Sequence, residues 1–294
     1  LMLFPARVIV AFEDASSTAM PDRAELSYAF ATGDVDGDGA PDVVVANDGQ
    51  PRLLLNQGDA TFADAPAGNL PPTEGAFVDS ALADVNGDGH LDIFLANAQG
   101  KNRLLLNDGT GSFADRTQAN LPPNSYRSLG VASGDLDGDG TPDLVIANVA
   151  SRNRVLINDG SGVFRDDTEA RLPSDTDRTY GELLIDVDGD DHLDLLALNN
   201  GTQNRLFIND GLGVFTDETG TRLPAVEDVS LQADAGDIDN DGHMDVVIAG
   251  GTGGVTVLRN DGDGVFADET AATMPVLPGY VIKLAFVDVD FDGD

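Results

Sequence analysis

Short apolar runs recur along the chain with almost no polar residue inside them. Val43-Val44-Val45-Ala46, Ile93-Phe94-Leu95-Ala96, Leu144-Val145-Ile146-Ala147, Leu195-Leu196-Ala197-Leu198 and Val246-Val247-Ile248-Ala249 are equivalent copies. Runs this short, rich in branched residues and bounded by Gly, Asn and Asp, predict β-strands. They do not alternate apolar with polar, so both faces of each strand must be covered. A second run follows, led by Arg52, Arg103, Arg154 or Arg205 and represented by Val257-Leu258 in the fifth copy. It usually closes in Asn-Asp-Gly, a hairpin signal, because Asn and Gly adopt positive φ at little cost. Phe-x-Asp segments at Phe62, Phe113, Phe164, Phe215 and Phe266 supply a further strand. Leu-Pro or Met-Pro follows each one, at Pro71, Pro122, Pro173, Pro224 and Pro275. Small-residue stretches such as Ser80-Ala81-Leu82-Ala83 and Val131-Ala132-Ser133-Gly134 predict one more strand, suited to a crowded position. Each unit thus has four strands and no helix of useful length.

Between the small-residue strand and the apolar run lies an Asp-rich loop. The first copy is Asp34-Val35-Asp36-Gly37-Asp38-Gly39, completed by Asp42, and later copies begin at Asp84, Asp135, Asp186, Asp237 and Asp288. The steps are 50, 51, 51, 51 and 51 residues. A constant period of this size marks an architecture built from one repeated unit. Four-stranded antiparallel units covered on both faces predict an all-β fold, a β-propeller whose blades are those units. A linear stack is the structural alternative, and it requires caps at both ends. There are five full units, with partial ones at residues 1–21 and 280–294. Six blades are favoured by this count, with seven as the alternative, in a single domain spanning 1–294. One blade's second strand is largely missing, so residues beyond the printed ends, or a larger parent protein, are expected.

The loop reads Asp-x-Asp-x-Asp-Gly-x-x-Asp. Positions 1, 3, 5 and 9 offer carboxylates and position 7 a backbone carbonyl. Oxygen-only, highly charged ligand sets suit a hard cation with flexible coordination, Ca²⁺ before Mg²⁺. The candidate ligands are Asp34, Asp36, Asp38, Ala40 and Asp42; Asp84, Asn86, Asp88, His90 and Asp92; Asp135, Asp137, Asp139, Thr141 and Asp143; Asp186, Asp188, Asp190, His192 and Asp194; and Asp237, Asp239, Asp241, His243 and Asp245. Asp288, Asp290 and Asp292 form a sixth, incomplete set. About five calcium sites are therefore expected. Asn86 makes the second set less charged. Asp191 stands where the other copies have Gly, so weaker binding is expected in the fourth. Solvated acidic turns without metal are the bland alternative. An EF-hand is excluded because its bidentate Glu position falls on Val45 and Leu95, inside strands.

Charge narrows the partners. There are 52 acidic residues against 16 basic ones, a net charge of −36. Nucleic acid is excluded as a partner, since phosphate binding needs a basic surface. No run is long and apolar enough to insert in a membrane. With no cysteine there is no disulfide framework or thiol nucleophile. His90, His192 and His243 share loop position 7, so they read as solvent-facing loop residues, and no nucleophile elbow or phosphate loop appears. The repeated arginines read as structural, and the repeated Phe residues as core. Tyr28, Tyr126, Tyr180 and Tyr280 stand before successive first strands, where they serve packing or stack on sugars.

The Asp loop, the strand ending Ala-Asn, and the Asn-Arg-x-x-x-Asn-Asp-Gly-x-Gly-x-Phe-x-Asp block together resemble the FG-GAP/VCBS repeat family. Gly134 to Asn148 and Asn153 to Asp166 show this best. The resemblance covers nearly the whole chain. It implies a calcium-binding propeller like that of integrin α subunits, with the metal loop between the first and second strands of a blade. It also implies a secreted or cell-surface location. The expected function is adhesion or ligand binding, to protein or glycan, by a monomeric domain of a larger surface protein. A polysaccharide-acting enzyme and a passive structural module are the alternatives.

Overall fold

The computed structural model describes residues 19–21, 25–59, 61–123, 127–149, 151–174, 177–225, 227–250, 254–274 and 281–286. The strands fall into five units of four. Unit one is β1 (Ser27–Gly33), β2 (Asp42–Gly49), β3 (Arg52–Asn56) and β4 (Phe62–Asp64). Unit two is β5 (Gly75–Ala83), β6 (Asp92–Asn97), β7 (Arg103–Asn107) and β8 (Phe113–Asp115). Unit three is β9 (Ser128–Gly134), β10 (Asp143–Asn148), β11 (Arg154–Asn158) and β12 (Phe164–Asp166). Unit four is β13 (Thr179–Ile185), β14 (Asp194–Gln203), β15 (Arg205–Asn209) and β16 (Phe215–Asp217). Unit five is β17 (Glu227–Gly236), β18 (Asp245–Gly250), β19 (Gly254–Asn260) and β20 (Phe266–Asp268).

Within each unit consecutive strands pair antiparallel, in the order predicted from the sequence. The register repeats: Leu156 faces Asp166 and Asn158 faces Phe164 in unit three, as Leu105 faces Asp115 and Asn107 faces Phe113 in unit two. Four units end in a feature that the strand pattern does not announce, a single helical turn at Thr117–Asn120, Thr168–Arg171, Thr219–Arg222 and Thr270–Thr273. Its first Thr hydroxyl accepts the N–H of the third strand's Leu104, Val155, Leu206 or Val257. Among the described residues no helix is long and apolar enough to cross a membrane.

The unbroken apolar runs are explained by packing on both sides. Every residue of β6 and β10 is buried. Ile93 and Leu95 of β6 pack with Val44, Ala46 and Leu53 of unit one, whereas Phe94 and Ala96 of the same strand pack with Leu144 and Ile146 of unit three. Units three and four, and four and five, share cores in the same way. Each apolar core therefore lies between two successive units. At roughly 25 cal/mol per Å² of apolar surface removed from water, these shared cores are the main force holding the array together.

First strands of successive units lie side by side, β1 against β5 and onward to β17. Residues 281–286 continue the series. Leu284 N–H donates to Gln232 Oε1 and Phe286 N–H to Asp234 Oδ2, as Val131 N–H donates to Asp79 Oδ2 between units two and three. Tyr28, Asp79, Leu129, Glu182, Gln232 and Lys283, each from a different first strand or from this segment, line one cavity of about 280 Å³. The N-terminal strands expected from residues 1–10 lie outside the described residues.

Candidate metal centres

All five complete Asp loops sit between the first and second strands of their units. Backbone N–H groups hold them curled. The position-1 carboxylate accepts two: Gly37 and Gly39 donate to Asp34 at 2.8 and 2.9 Å, and Gly138 and Gly140 to Asp135 at 2.8 and 2.9 Å. Both glycines of each pair have positive φ, which costs an L-residue more than glycine. Unit four meets the same demand with Asp191 at φ 67° and unit five with Asn240 at φ 62°.

The position-9 carboxylate is the structural anchor. Asp42, Asp92, Asp143, Asp194 and Asp245 are at most 1% exposed. One oxygen of each accepts the N–H of the Asn that ends the third strand, Asn158 on Asp143 at 2.8 Å for example. The other accepts a loop N–H, Leu136 on Asp143 at 3.1 Å. Burial pushes these acids up against the lowering effect of the two hydrogen bonds, Asp92 and Asp194 to about 6 and Asp143 to about 7. Neighbouring loop carboxylates add to the rise.

Positions 1, 3 and 9 converge. Ligand oxygens of Asp34, Asp36 and Asp42 lie within 4.8 Å of one another, as do those of Asp135, Asp137 and Asp143, of Asp186, Asp188 and Asp194, and of Asp237, Asp239 and Asp245. In the second loop Asn86 fills position 3 beside Asp84 and Asp92, and its amide donates to Asp88 Oδ2 at 3.0 Å. Position 5 differs from the even ligand ring that spacing suggests. Asp38, Asp88, Asp139, Asp190 and Asp241 each accept the N–H of position 7, at Ala40, His90, Thr141, His192 and His243. Asp288, Asp290 and Asp292 lie outside the described residues.

These triads fit a hard divalent cation. Asp137 Oδ1 and Asp188 Oδ1 are buried with no hydrogen-bond partner. A buried carboxylate oxygen without a donor is costly unless a cation faces it. Oxygen-only donors and three carboxylates per site match calcium. Bound calcium would neutralise the crowded charge, and the chain's own N–H groups already hold the carboxylates in place.

Several functional contacts escaped the sequence pattern. Asn107, Asn158, Asn209 and Asn260 each send Nδ2 to the position-2 carbonyl of the preceding unit's Asp loop, at Val35, Val85, Leu136 and Val187, over 2.8–2.9 Å. The same residues cap the position-9 carboxylate of their own unit, so adjacent loops are tied by one side chain. The residue before Leu-Pro makes a second tie: Asn69 and Asn120 bond Gly111 O and Gly162 O of the next unit. Arg171 and Arg222, at that register, bond Leu212 O and Asp263 O and also reach Asp137 and Asp188 at 3.1 and 3.2 Å. Their fixed place before Leu-Pro was the signal for this role. The histidines differ from expectation: a Cβ on Gly109, Gly211 or Gly262 would strike the ring of His90, His192 or His243. They lie over the hairpin turn as well as facing solvent.

The repeated arginines are structural in three units, where Arg52, Arg154 and Arg205 pair with Asp64, Asp166 and Asp217. Phe113, Phe164, Phe215 and Phe266 are buried in the inter-unit cores, and Phe62 is half-buried. Tyr28 and Tyr180 line the cavity between the first strands, and Tyr126 and Tyr280 lie outside the described residues. A separate cleft of about 890 Å³ opens on unit two beside Lys101, Arg103, Asp115, Arg116 and Gln118.

Against known proteins, the FG-GAP-like repeat model matches residues 34–95, 84–146, 135–196, 186–248 and 237–294. No curated protein sequence matches the chain. Among solved structures, an Agrocybe aegerita lectin described as recognising non-reducing terminal N-acetylglucosamine aligns with TM-score 0.53 and 23% identity. The alignment covers 83% of this chain and 65% of the lectin chain, so this chain spans less than two thirds of that neighbour's length. BBS1N, solved in complex with ARL6DN, aligns with TM-score 0.46 and 12% identity over 80% of this chain and 78% of its own.

Proposed function

Because the chain belongs to the FG-GAP-like repeat family, we propose that it is a calcium-stabilised β-propeller, extracellular or on a cell surface, that binds a glycan. The single observation that supports calcium is the convergence of positions 1, 3 and 9 in the loops of units one, three and four, with Asp137 and Asp188 each keeping a buried, unpartnered oxygen. Convergence of the first strands on one cavity supports closure into a ring. Six blades fit five complete units plus a shared one, and seven is the alternative. Closure would bury Leu26, Tyr28 and Phe30, which are exposed on unit one.

The glycan reading is supported by the cleft on unit two and by the N-acetylglucosamine recognition described for the lectin neighbour. Lys101, Arg103 and Arg116 concentrate positive charge in a chain of net charge −36. Arg103 Nε is buried without a hydrogen-bond partner, and Arg103 lacks the ion pair to the unit's own Phe-x-Asp carboxylate that Arg52, Arg154 and Arg205 make. An acidic sugar is the ligand this cleft suits, since a guanidinium binds carboxylate or sulfate through paired hydrogen bonds. A glycan array in calcium and in chelator tests it. Calcium-dependent binding of acidic glycans, weakened by R116E, is expected; no glycan bound in calcium would leave a protein ligand or a passive module.

One observation favours an enzyme as second reading. Glu182 in the axial cavity is pushed well above the usual carboxyl range by burial and by the charge of Asp79, which lines the same cavity. An acid with a raised pKa beside a second carboxyl suits acid–base work on a glycan. Turnover of acidic polysaccharide that is lost in E182Q would favour this reading; its absence counts against it.

A further inference from the structure

We propose that Arg259 is a tethered cation that takes the place of the metal ion in the fifth Asp loop. The inference rests on the calcium reading of the other loops. The residue before the third-strand Asn is Leu55, Leu106, Ile157 and Ile208 in units one to four, and each packs in an inter-unit core. Unit five has Arg259 at this register, paired across to Ala267 as Ile208 is to Thr216. Its Nη2 is bonded to Asp239 Oδ2 and its Nε lies 3.4 Å from Asp245 Oδ2. It therefore touches two of the three carboxylates that make up the fifth triad. The side chain is 21% exposed, so it is committed to the loop and not to solvent.

Arg171 and Arg222 act differently. Each holds only the outer oxygen of the position-3 carboxylate, and the inner oxygen of Asp137 or Asp188 stays buried and unpartnered. Those arginines orient a ligand, whereas Arg259 is bonded to position 3 and also lies within ion-pair distance of position 9, its Nε otherwise unpartnered. A guanidinium keeps its charge at every accessible pH. It offsets one of the loop's four carboxylate charges permanently and repels a divalent ion from the oxygens it faces. The backbone bonds of the other loops are kept here: Gly242 N–H donates to Asp237 and Asn260 N–H to Asp245, both at 2.8 Å. Unit five is thus built to keep its loop when calcium falls.

Bound calcium per chain, counted by equilibrium dialysis at millimolar calcium, tests this on the wild type, R259L, R259M and the double variant R259L/D239N. R259L restores the residue type of the other units, and R259M keeps the unbranched stem in case R259L folds poorly. One additional ion per chain is expected in both single variants, with return to the wild-type count in the double. Melting in chelator is expected to be lower for R259L than for wild type, with calcium closing the gap. Equal counts in wild type and both single variants would overturn the inference, as would a gain that survives D239N. No calcium bound by any of the four proteins would overturn the calcium reading itself, and this inference with it.

Discussion

At the scale of single residues, the buried position-9 aspartates join folding to metal binding. Asp143 accepts two backbone N–H groups and is fully buried. Its replacement by Asn leaves one of those donors unmatched. D143N is expected to cost about 1–3 kcal/mol in urea unfolding; a change below ~0.5 kcal/mol would remove Asp143 from this anchoring role. The same residues set the pH response. Asp92, Asp143 and Asp194 titrate at about 6, about 7 and about 6 in the metal-free fold. In the unfolded chain Asp titrates near 3.9. From about pH 4 to 7 the fold therefore holds more protons than the unfolded state, and its stability falls as pH rises. Chelated protein is expected to melt higher at pH 5 than at pH 8, with a shallower slope in D143N. Saturating calcium should level or reverse the trend, because ion and proton compete for the same oxygens. Equal pH slopes in chelated wild type and D143N would contradict this.

At the scale of elements, the third-strand Asn couples neighbouring units. Asn158 donates to Val85 O of unit two at 2.8 Å and to Pro142 O of its own loop, and its Oδ1 accepts Gly160 and Gly162. N158A would take this donor from buried Val85 O and half-buried Pro142 O, at a cost of about 2–4 kcal/mol. Because Asn158 supports loops of two units, calcium affinity of both the second and the third loops should fall; an effect confined to one loop, read by calorimetry of wild type and variant, would contradict the coupling. This tie also shows what the chain made legible. The strands of unit three were evident from composition and period, since Leu144 to Ala147 is apolar at every position and must be covered on both faces. Asp135, Asp137 and Asp143 were evident as a cluster of carboxylates from spacing alone, and their oxygens do converge. Asn158 was visible only as a turn former, because a local motif does not say which carbonyl 73 residues away its amide will meet. The helical turns after four of the Phe-x-Asp segments were missed for a related reason: four residues are too few for a periodic signal. Arg259 drew no reading from the sequence, because nothing local announces that its guanidinium meets Asp239.

At the scale of the whole molecule, stability comes from cores shared between units and from loops whose charge must be answered. Calcium at ten times its dissociation constant adds roughly 1.4 kcal/mol per site. Four sites would sum to ~5–6 kcal/mol, a shift on the order of 10 °C in melting temperature. Removal of calcium by chelator is expected to lower the melting temperature by that order, in one cooperative transition, because no unit has a core of its own. The central claim is that the repeated carboxylate triads hold calcium. Anomalous diffraction from crystals grown in millimolar calcium tests it most directly. The account expects peaks between positions 1, 3 and 9 of the loops that begin at Asp34 and Asp135, with weaker ones at Asp84 and Asp186. Loops that diffract clearly and show no peak would contradict it.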